Sequence, residues 1–162
     1  GTQDIGRWGA DDIVRAPTTY VLGTGMANSI AAYFAYIAGP AIGKVTAIPR
    51  DGLLPVEGLA RAKTPDVLLA MAFKPYQHEV IDAVALAVSR GITVVGISDS
   101  PASPILTGAS HRFVVPMVTT QFVASSVALM SLLETIIAFV IAAALPEAVN
   151  DIDLLQQRRA QA

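Results

Sequence analysis

The chain has 162 residues, 53% hydrophobic and 15% charged, which suits one globular domain with a sizeable core and is unlike a disordered chain. It contains no cysteine, so disulfides, thiolate metal sites and cysteine nucleophiles are excluded, and we expect a cytoplasmic protein. The net charge of −2, without any run of lysine or arginine, argues against a DNA-binding face on this chain.

Residues 1–18 precede the first predicted strand and lack the basic and apolar regions of a signal peptide. We predict a linker helix in this segment. Because the chain begins with glycine instead of methionine, we also expect that a further segment precedes it in the full-length protein.

Five short apolar runs predict β-strands at residues 19–23, 44–48, 66–72, 92–98 and 112–116. Apolar and polar residues do not alternate along these runs, which is typical of strands covered on both faces. Helical patterns lie between them at 26–39, 55–63, 77–91 and 103–110. We expect Gly39 with Pro40 to end the first of these helices, Gly91 to end the third, and Ser103 to cap the last. The alternation predicts an α/β fold, a five-stranded parallel sheet flanked by helices on both faces.

The segment 122–146 is apolar and long enough to cross a bilayer of about 30 Å. However, Glu134 lies in its middle, and no lysine or arginine flanks it closely to anchor it. We therefore favour a helix that is buried in the fold and against a partner subunit, with no membrane contact. After this helix, residues 146–162 turn polar and predict a C-terminal surface helix.

In an open parallel sheet, ligands bind beyond the carboxyl ends of the strands. After the first strand, Gly23, Thr24 and Gly25 permit a tight turn and a close backbone approach, and the following helix start, with Asn28, can receive an anion. This is not a dinucleotide fingerprint, which would need glycine in place of Asn28. Arg50 follows the second strand and could reach an anion. The alternatives are a tight turn without a ligand and a solvated arginine.

The loop after the third strand, residues 73–79, carries a cation, an aromatic hydroxyl, an amide and an imidazole in Lys74, Tyr76, Gln77 and His78. Such a set at the start of a helix suits an oxyanion or a polyol. A structural role is the alternative, with Pro75 starting the helix and His78 solvated in its first turn. For His78 we favour that alternative, because no second histidine or carboxylate lies at a metal-ligand or triad spacing.

Hydroxyl groups complete the candidate set. Asp99 and Ser100 follow the fourth strand, and Ser125 and Ser126 precede the long helix. Because hydroxyls at helix starts commonly serve as caps, each is weak evidence by itself. We take Ser100, Ser125 and Ser126 as candidate ligand-binding residues, and we expect no catalytic residue, metal or cofactor.

The order of these segments resembles the SIS (sugar isomerase) domain, and more narrowly the effector domain of RpiR/MurR-type bacterial transcriptional regulators. The resemblance extends from about residue 20 to about residue 144, and its most specific part is SRGITVVGISDSPASPILTGASH. It implies a flavodoxin-like three-layer sandwich over 19–145 that forms dimers or tetramers through helices including 121–144. It also implies binding of a phosphorylated or acidic sugar, and binding of DNA only through a helix-turn-helix domain absent from this chain.

The chain departs from the family pattern at the residues that would hold a phosphate. Where the family has G-x-G-x-S, Gly23 and Gly25 are followed by Ala27, so the serine hydroxyl is lost. Where the family has S-x-S-G-x-T-x-E, the chain has AFKPYQHE at residues 72–79. Three hydroxyls are therefore missing. Lys74 could replace them by a charge-assisted contact, with Tyr76 completing the site.

Three functions fit the sequence. We favour a phosphosugar-binding effector domain of an RpiR-type regulator, in which the ligand acts through its differential affinity for two arrangements of a dimer. The second is an aldose-ketose sugar-phosphate isomerase, for which Glu57, His78 and Glu79 are the candidate acid–base groups. The third is a stand-alone domain whose site has decayed and which acts through its helical interface.

Overall fold

Five parallel strands form one sheet in the order β2-β1-β3-β4-β5. The computed structural model describes residues 2–117 and 126–161, in which the strands are β1 Thr19–Leu22, β2 Val45–Ile48, β3 Val67–Ala72, β4 Thr93–Ser98 and β5 His111–Val114. In the middle of the sheet, Val21 lies opposite Ala47 on one side and Leu69 on the other. The predicted parallel sheet is therefore confirmed.

Burial on both faces holds for the inner strands and fails at the edges. Every residue of β1 and β3 is buried, as the uninterrupted apolar runs predicted. In β2 only Ile48 is buried, and in β5 only Phe113 is. β2 and β5 are the outer strands of the sheet, and each is paired with a neighbour on one side only.

Helices cover the sheet in two layers, each with its own apolar cluster. One layer consists of α1 Thr2–Arg15, α2 Met26–Ile42 and α5 Val127–Ala160. The other consists of α3 Pro55–Gly58, α4 His78–Ser89 and a 3₁₀ turn at Pro104–Leu106. The segment predicted as a linker helix contains α1, which buries Ala10 and Ile13 in the first cluster. This three-layer arrangement agrees with the predicted fold class.

One helix end differs from the prediction and one agrees with it. α2 does not end at Gly39 and Pro40 but continues to Ile42, because Pro40 lies in the last turn and Gly43, at a φ of 94°, ends the helix. The N–H of Gly43 donates to the carbonyl of Gly39 at 2.8 Å. α4 ends as predicted, with Gly91 in the left-handed region at a φ of 70°.

Two predicted helices are shorter in the structure. α3 covers only 55–58 of the predicted 55–63, and the segment 103–110 forms the 3₁₀ turn alone. The prediction that Ser103 caps a helix is wrong, because its hydroxyl makes no capping hydrogen bond. That hydroxyl is buried without a hydrogen-bond partner among the residues that the structure describes.

α5 is a single helix that runs through Pro146 to Ala160. The proline removes one N–H donor but does not separate the polar tail from the apolar part. Leu129, Leu133, Ile136 and Val140 are buried at helical spacing. The span Val127–Pro146 has a mean hydropathy of 2.3 and is long and apolar enough to cross a membrane, and 33% of it is buried inside the fold. α5 contacts α1 and α2, as expected of a helix in a globular fold.

Candidate functional site

A cavity lies at the point where the chain direction across the sheet reverses. From β1 the chain passes through α2 to β2 on one side, and β3 pairs with β1 on the other side. The carboxyl ends of β1 and β3 therefore border the crevice in which open α/β sheets bind ligands. The cavity there, which we call the switch-point cavity, has a volume of about 340 Å³. Its lining residues are Thr24, Gly25, Met26, Ala27, Met71, Ala72, Phe73, Pro75, Gln77, Glu79 and Val80.

Two glycines shape the first wall of the switch-point cavity. A Cβ atom at Gly23 would lie 2.5 Å from the carbonyl oxygen of Ala27, so only glycine permits this close approach of strand and helix. Gly25 has a φ of 60° and open space around it. Gly25 is also the N-cap of α2, and no side chain caps the helix. The positive end of the α2 dipole is therefore turned toward the cavity.

Asn28 holds this wall in place from behind. Its side-chain amide nitrogen donates to the carbonyl of Gly23 at 3.2 Å and to the carbonyl of Pro49 at 3.2 Å. Both N–H groups of the amide are thus used within the protein. Asn28 ties the turn after β1 to the turn after β2, which is a structural role for this predicted ligand-binding residue.

The loop after β3 forms the second wall of the switch-point cavity, and hydrogen bonds hold it in place. The hydroxyl of Tyr76 donates to Oδ1 of Asp99 at 2.6 Å, and the backbone N–H of Lys74 donates to Oδ2 of the same carboxylate at 3.1 Å. Beneath it, the buried hydroxyl of Ser98 donates to the carbonyl of Ala72 at 2.6 Å. The end of β4 thereby fixes the loop that follows β3, and we call Tyr76 and Asp99 the loop lock.

The loop lock changes the acidity of both its members. Burial and the hydrogen bond to Asp99 raise the pKa of the Tyr76 hydroxyl, which keeps it a donor. Burial acts to raise the pKa of Asp99, but the hydrogen bonds from Tyr76 and from the Lys74 N–H outweigh it and hold that pKa below its ordinary value. Asp99 is therefore a carboxylate at neutral pH, and Tyr76 is its protonated partner.

The remaining lining groups come from the start of α4. Gln77 is the N-cap of this helix, and its side chain makes no capping hydrogen bond. Glu79 lies in the first turn, and both residues line the switch-point cavity. Pro75 also lines the cavity. It does not start α4, contrary to the structural role considered for it from the sequence, because the helix begins at His78. His78 is the first residue of α4 and is exposed, which agrees with the prediction that it is a solvated residue of the first turn.

The structure brings together only part of the predicted ligand-binding set. Thr24, Gly25 and Gln77 line the switch-point cavity. Lys74 and His78 are exposed on the loop and do not line it. Gly23, Asn28 and Tyr76 support its walls, as described above.

Four predicted residues lie elsewhere or are not described. Arg50 lines a different cavity, beside β2. The hydroxyl of Ser100 accepts the N–H of Ala102 at 3.2 Å in the turn after β4. Ser126 is the N-cap of α5 and makes no side-chain capping bond. Ser125 lies outside the described residues.

Sequence reasoning missed several residues of the site. Met26, Phe73 and Glu79 line the switch-point cavity without having been predicted as ligand-binding residues. Asp99, which orders the loop, was noted only as following the fourth strand. The position of Asp99 directly after a strand was the signal that could have found it. Among the side chains that the structure describes, no group of three histidine, aspartate or glutamate residues could hold a metal ion.

Comparisons with known proteins agree with this architecture. A family model for the SIS domain matches residues 12–144. The sugar isomerase domain of the RpiR transcription factor from Sphaerobacter thermophilus superposes with a TM-score of 0.82 at 19% identity, covering 95% of this chain and 86% of that one. The Vibrio vulnificus NanR protein complexed with ManNAc-6P superposes with a TM-score of 0.72 at 23% identity, covering 94% of this chain and 61% of that one.

A third structure comes from a protein whose inferred function is enzymatic. It is a hypothetical protein of Methanococcus jannaschii, with an inferred function of 3-hexulose-6-phosphate isomerase. It superposes with a TM-score of 0.67 at 13% identity, covering 90% of this chain and 78% of that one. No curated protein matches the sequence. Identities this low establish a shared fold and leave the activity to be argued from the site.

Proposed function

Because the chain belongs to the SIS domain family, we propose that it is the non-catalytic effector domain of a cytoplasmic RpiR-type bacterial transcriptional regulator. We further propose that its ligand is a phosphorylated or acidic sugar. One observation carries the proposal. The switch-point cavity lies between the carboxyl ends of β1 and β3, with the starts of α2 and α4 in its walls. Two helix starts facing one small cavity favour an anionic ligand.

The charges around the cavity suggest how the sugar would lie. At the α2 side, Thr24 and the uncapped helix start at Gly25 offer donors, and no carboxylate lines this side. At the α4 side, Glu79 offers a carboxylate and Gln77 an amide. We expect the anionic group at α2 and the sugar hydroxyls at α4, where they can donate to Glu79. Exposed Lys74 would attract the anion to the entrance.

Support for the regulator comes from two of the proteins that share the fold. The RpiR transcription factor and NanR are named as such, and the NanR structure holds ManNAc-6P, a sugar phosphate. In a regulator of this kind, ligand binding would shift the equilibrium between two arrangements of a dimer, and the shift is limited by the differential affinity of the ligand for them. DNA contact would belong to another domain of the regulator.

The helix α5 supports a dimer or tetramer. One third of its apolar span is buried inside the fold, and a groove runs along its outer side. The groove is lined at helical spacing by Ser131, Glu134, Thr135, Ala138, Phe139 and Ala142. Neighbouring α2 exposes Tyr33 and Tyr36. We propose that a second copy of the chain covers this surface, since small and aromatic side chains permit close helix packing.

A sugar-phosphate isomerase is the second candidate, and one observation favours it. The carboxylate of Glu79 lines the switch-point cavity, where it could take a proton from the carbon next to a carbonyl group. Isomerisation also needs a group that moves a proton between two oxygens. His78 is adjacent in sequence but does not line the cavity, so the effector remains the better-supported function.

A thermal-shift screen tests the proposal. The protein is heated with phosphosugars, with sugar acids and with their neutral parents. A ligand at about 100 times its dissociation constant adds about 2.7 kcal/mol, which for a domain of this size raises Tm by about 5–10 °C. We expect a shift with anionic sugars only, reduced in Gln77→Ala and unchanged in Lys63→Ala, an exposed control outside the cavity. No shift with any anionic sugar would refute the proposal.

An activity assay on the compound found in that screen separates the two candidates. An effector leaves the compound unchanged, in the wild type as in Glu79→Gln. Interconversion of aldose and ketose forms by the wild type, lost in Glu79→Gln, would establish the isomerase instead.

A further inference from the structure

A second cavity lies beside the outer strand β2, on the side of the sheet that α3 and α4 cover. It has a volume of about 260 Å³ and shares no lining residue with the switch-point cavity. We call it the β2-edge cavity. Its polar lining residues are Tyr20, Lys44, Thr46, Arg50, Glu57 and Arg61. Tyr20 and Thr46 are paired across β1 and β2, so they form its floor on the sheet.

The floor contains a tyrosine hydroxyl group that no described residue pairs with. Tyr20 is only 7% exposed, and its ring packs in the apolar cluster beneath α4. Its hydroxyl makes no hydrogen bond to any residue that the structure describes. The ring is buried but the hydroxyl oxygen is not fully enclosed, so it can donate to a group bound beside it. Because Tyr20 lines the β2-edge cavity, a group bound there is the partner that the fold leaves room for.

Three cationic side chains line the same cavity as Tyr20. Lys44, Arg50 and Arg61 line the cavity, and none of them forms a salt bridge with a described residue. The one carboxylate in the lining, Glu57, accepts the N–H of Leu54 at 2.9 Å and is held toward the start of α3.

Three cations against one carboxylate leave an excess of two positive charges. The buried acid Asp66 does not line the cavity, and its carboxylate accepts the N–H groups of Thr18 and Lys63. Burial and the carboxylate of Asp66 raise the pKa of Tyr20, while Arg50 and Arg61 act in the opposite direction.

We propose that the β2-edge cavity is a second anion site, which binds a phosphate group between Arg50, Arg61 and Lys44 with the Tyr20 hydroxyl donating from the floor. Guanidinium groups bind phosphate through paired hydrogen bonds, and a neutral hydroxyl donor completes the shell of such a site. The small volume suits inorganic phosphate or the phosphate end of a small metabolite. The site is independent of the sugar-binding function proposed above.

Amide chemical shifts of the full chain test the site and report on each cavity separately. The probes are inorganic phosphate, glycerol 3-phosphate and acetate at constant ionic strength. We expect saturable shifts at Gly58 and Ala60 of the β2-edge cavity with both phosphates and not with acetate. Tighter binding of glycerol 3-phosphate would identify a phosphorylated metabolite as the ligand, and equal binding would identify inorganic phosphate. Shifts at Gly25 and Gln77 report on the switch-point cavity instead.

Three variants distinguish a site from general charge screening. Arg61→Gln removes one charge-assisted contact, so we expect it to weaken binding about tenfold or more. Tyr20→Phe keeps the ring and removes the hydroxyl, and should weaken binding several-fold. Lys63→Gln removes the same charge from an exposed residue outside the cavity and should leave the affinity unchanged. Non-saturating shifts, equal effects of Arg61→Gln and Lys63→Gln, or binding of acetate as tight as that of phosphate would overturn the proposal.

Discussion

Replacing Tyr76 by phenylalanine removes one hydroxyl and is expected to loosen the loop that walls the switch-point cavity. The hydroxyl donates to the ionised carboxylate of Asp99 at 2.6 Å. A hydrogen bond to a charged group contributes about 1.5–3 kcal/mol, and the lower value applies here because both side chains are partly exposed. A loss of about 1.5 kcal/mol in a domain of this size lowers Tm by about 3–6 °C.

The assay is calorimetric unfolding of Tyr76→Phe beside Thr107→Val. Thr107 is exposed and its hydroxyl bonds no described residue, so removing that hydroxyl should leave Tm unchanged. Asp99→Asn and the double variant complete a cycle, in which we expect a coupling of about 1 kcal/mol between the two positions. If Tyr76→Phe unfolds at the wild-type temperature, or the two effects simply add, the loop lock does not stabilise the fold as argued.

The same pair predicts a pH dependence. The pKa of Asp99 is lowered from its ordinary value of 3.8, so its stabilising contribution is present above the unfolded-state pKa and is lost as pH falls through the lower folded-state pKa. The Tm difference between wild type and Asp99→Asn should therefore be constant from about pH 5 to pH 8 and shrink below about pH 4. A difference that grows as pH falls would contradict this account.

Three further predictions concern stability and assembly. Gly23→Ala places a Cβ 2.5 Å from a backbone oxygen and should lower the free energy of unfolding by more than about 3 kcal/mol. Gly39→Ala in α2 meets nothing within 4 Å and should raise the free energy of unfolding by about 0.5–1 kcal/mol. Chemical denaturation measures both, and equal effects would contradict this. Asp66→Ala leaves two backbone N–H groups unpaired and should cost about 2–4 kcal/mol; a loss under 1 kcal/mol would count against it. Ala138→Lys puts a lysine four residues after Glu134, a spacing that favours the helix. Because it places a charge on the proposed interface, it should convert the dimer to a monomer, as measured by light scattering. An unchanged mass would exclude this surface as the interface.

The fold could be predicted from the sequence because its strands are short apolar runs separated by glycine and helical patterns. A strand that is buried on both faces has to be apolar nearly throughout, and this pattern is visible in the sequence. β1 and β3 are indeed buried along their whole length. Helix ends were less predictable. Pro40 removes one N–H donor from the last turn of α2, yet the helix continues to Ile42, so the proline alone did not predict where it ends.

The site could be predicted only where it is local in sequence. The glycine turn at Gly23 and Gly25 is a local feature, and it was found. The loop lock joins Tyr76 to Asp99, 23 residues away, and no pattern in a single sequence pairs them. Arg50 lines a different cavity from Thr24 and Gln77, which could not be predicted because the sequence does not specify the order of the strands. With β2 outside β1, the residues after β2 lie away from β3.

Hydrogen–deuterium exchange of the protein with and without an anionic sugar that raises its Tm tests the central claim most directly. The account predicts slower exchange in peptides covering residues 22–30 and 72–82, which hold both walls of the switch-point cavity. The neutral parent sugar should leave exchange unchanged in the same peptides. Binding of the anionic sugar without protection of those peptides would show that the ligand site lies elsewhere and would contradict the account.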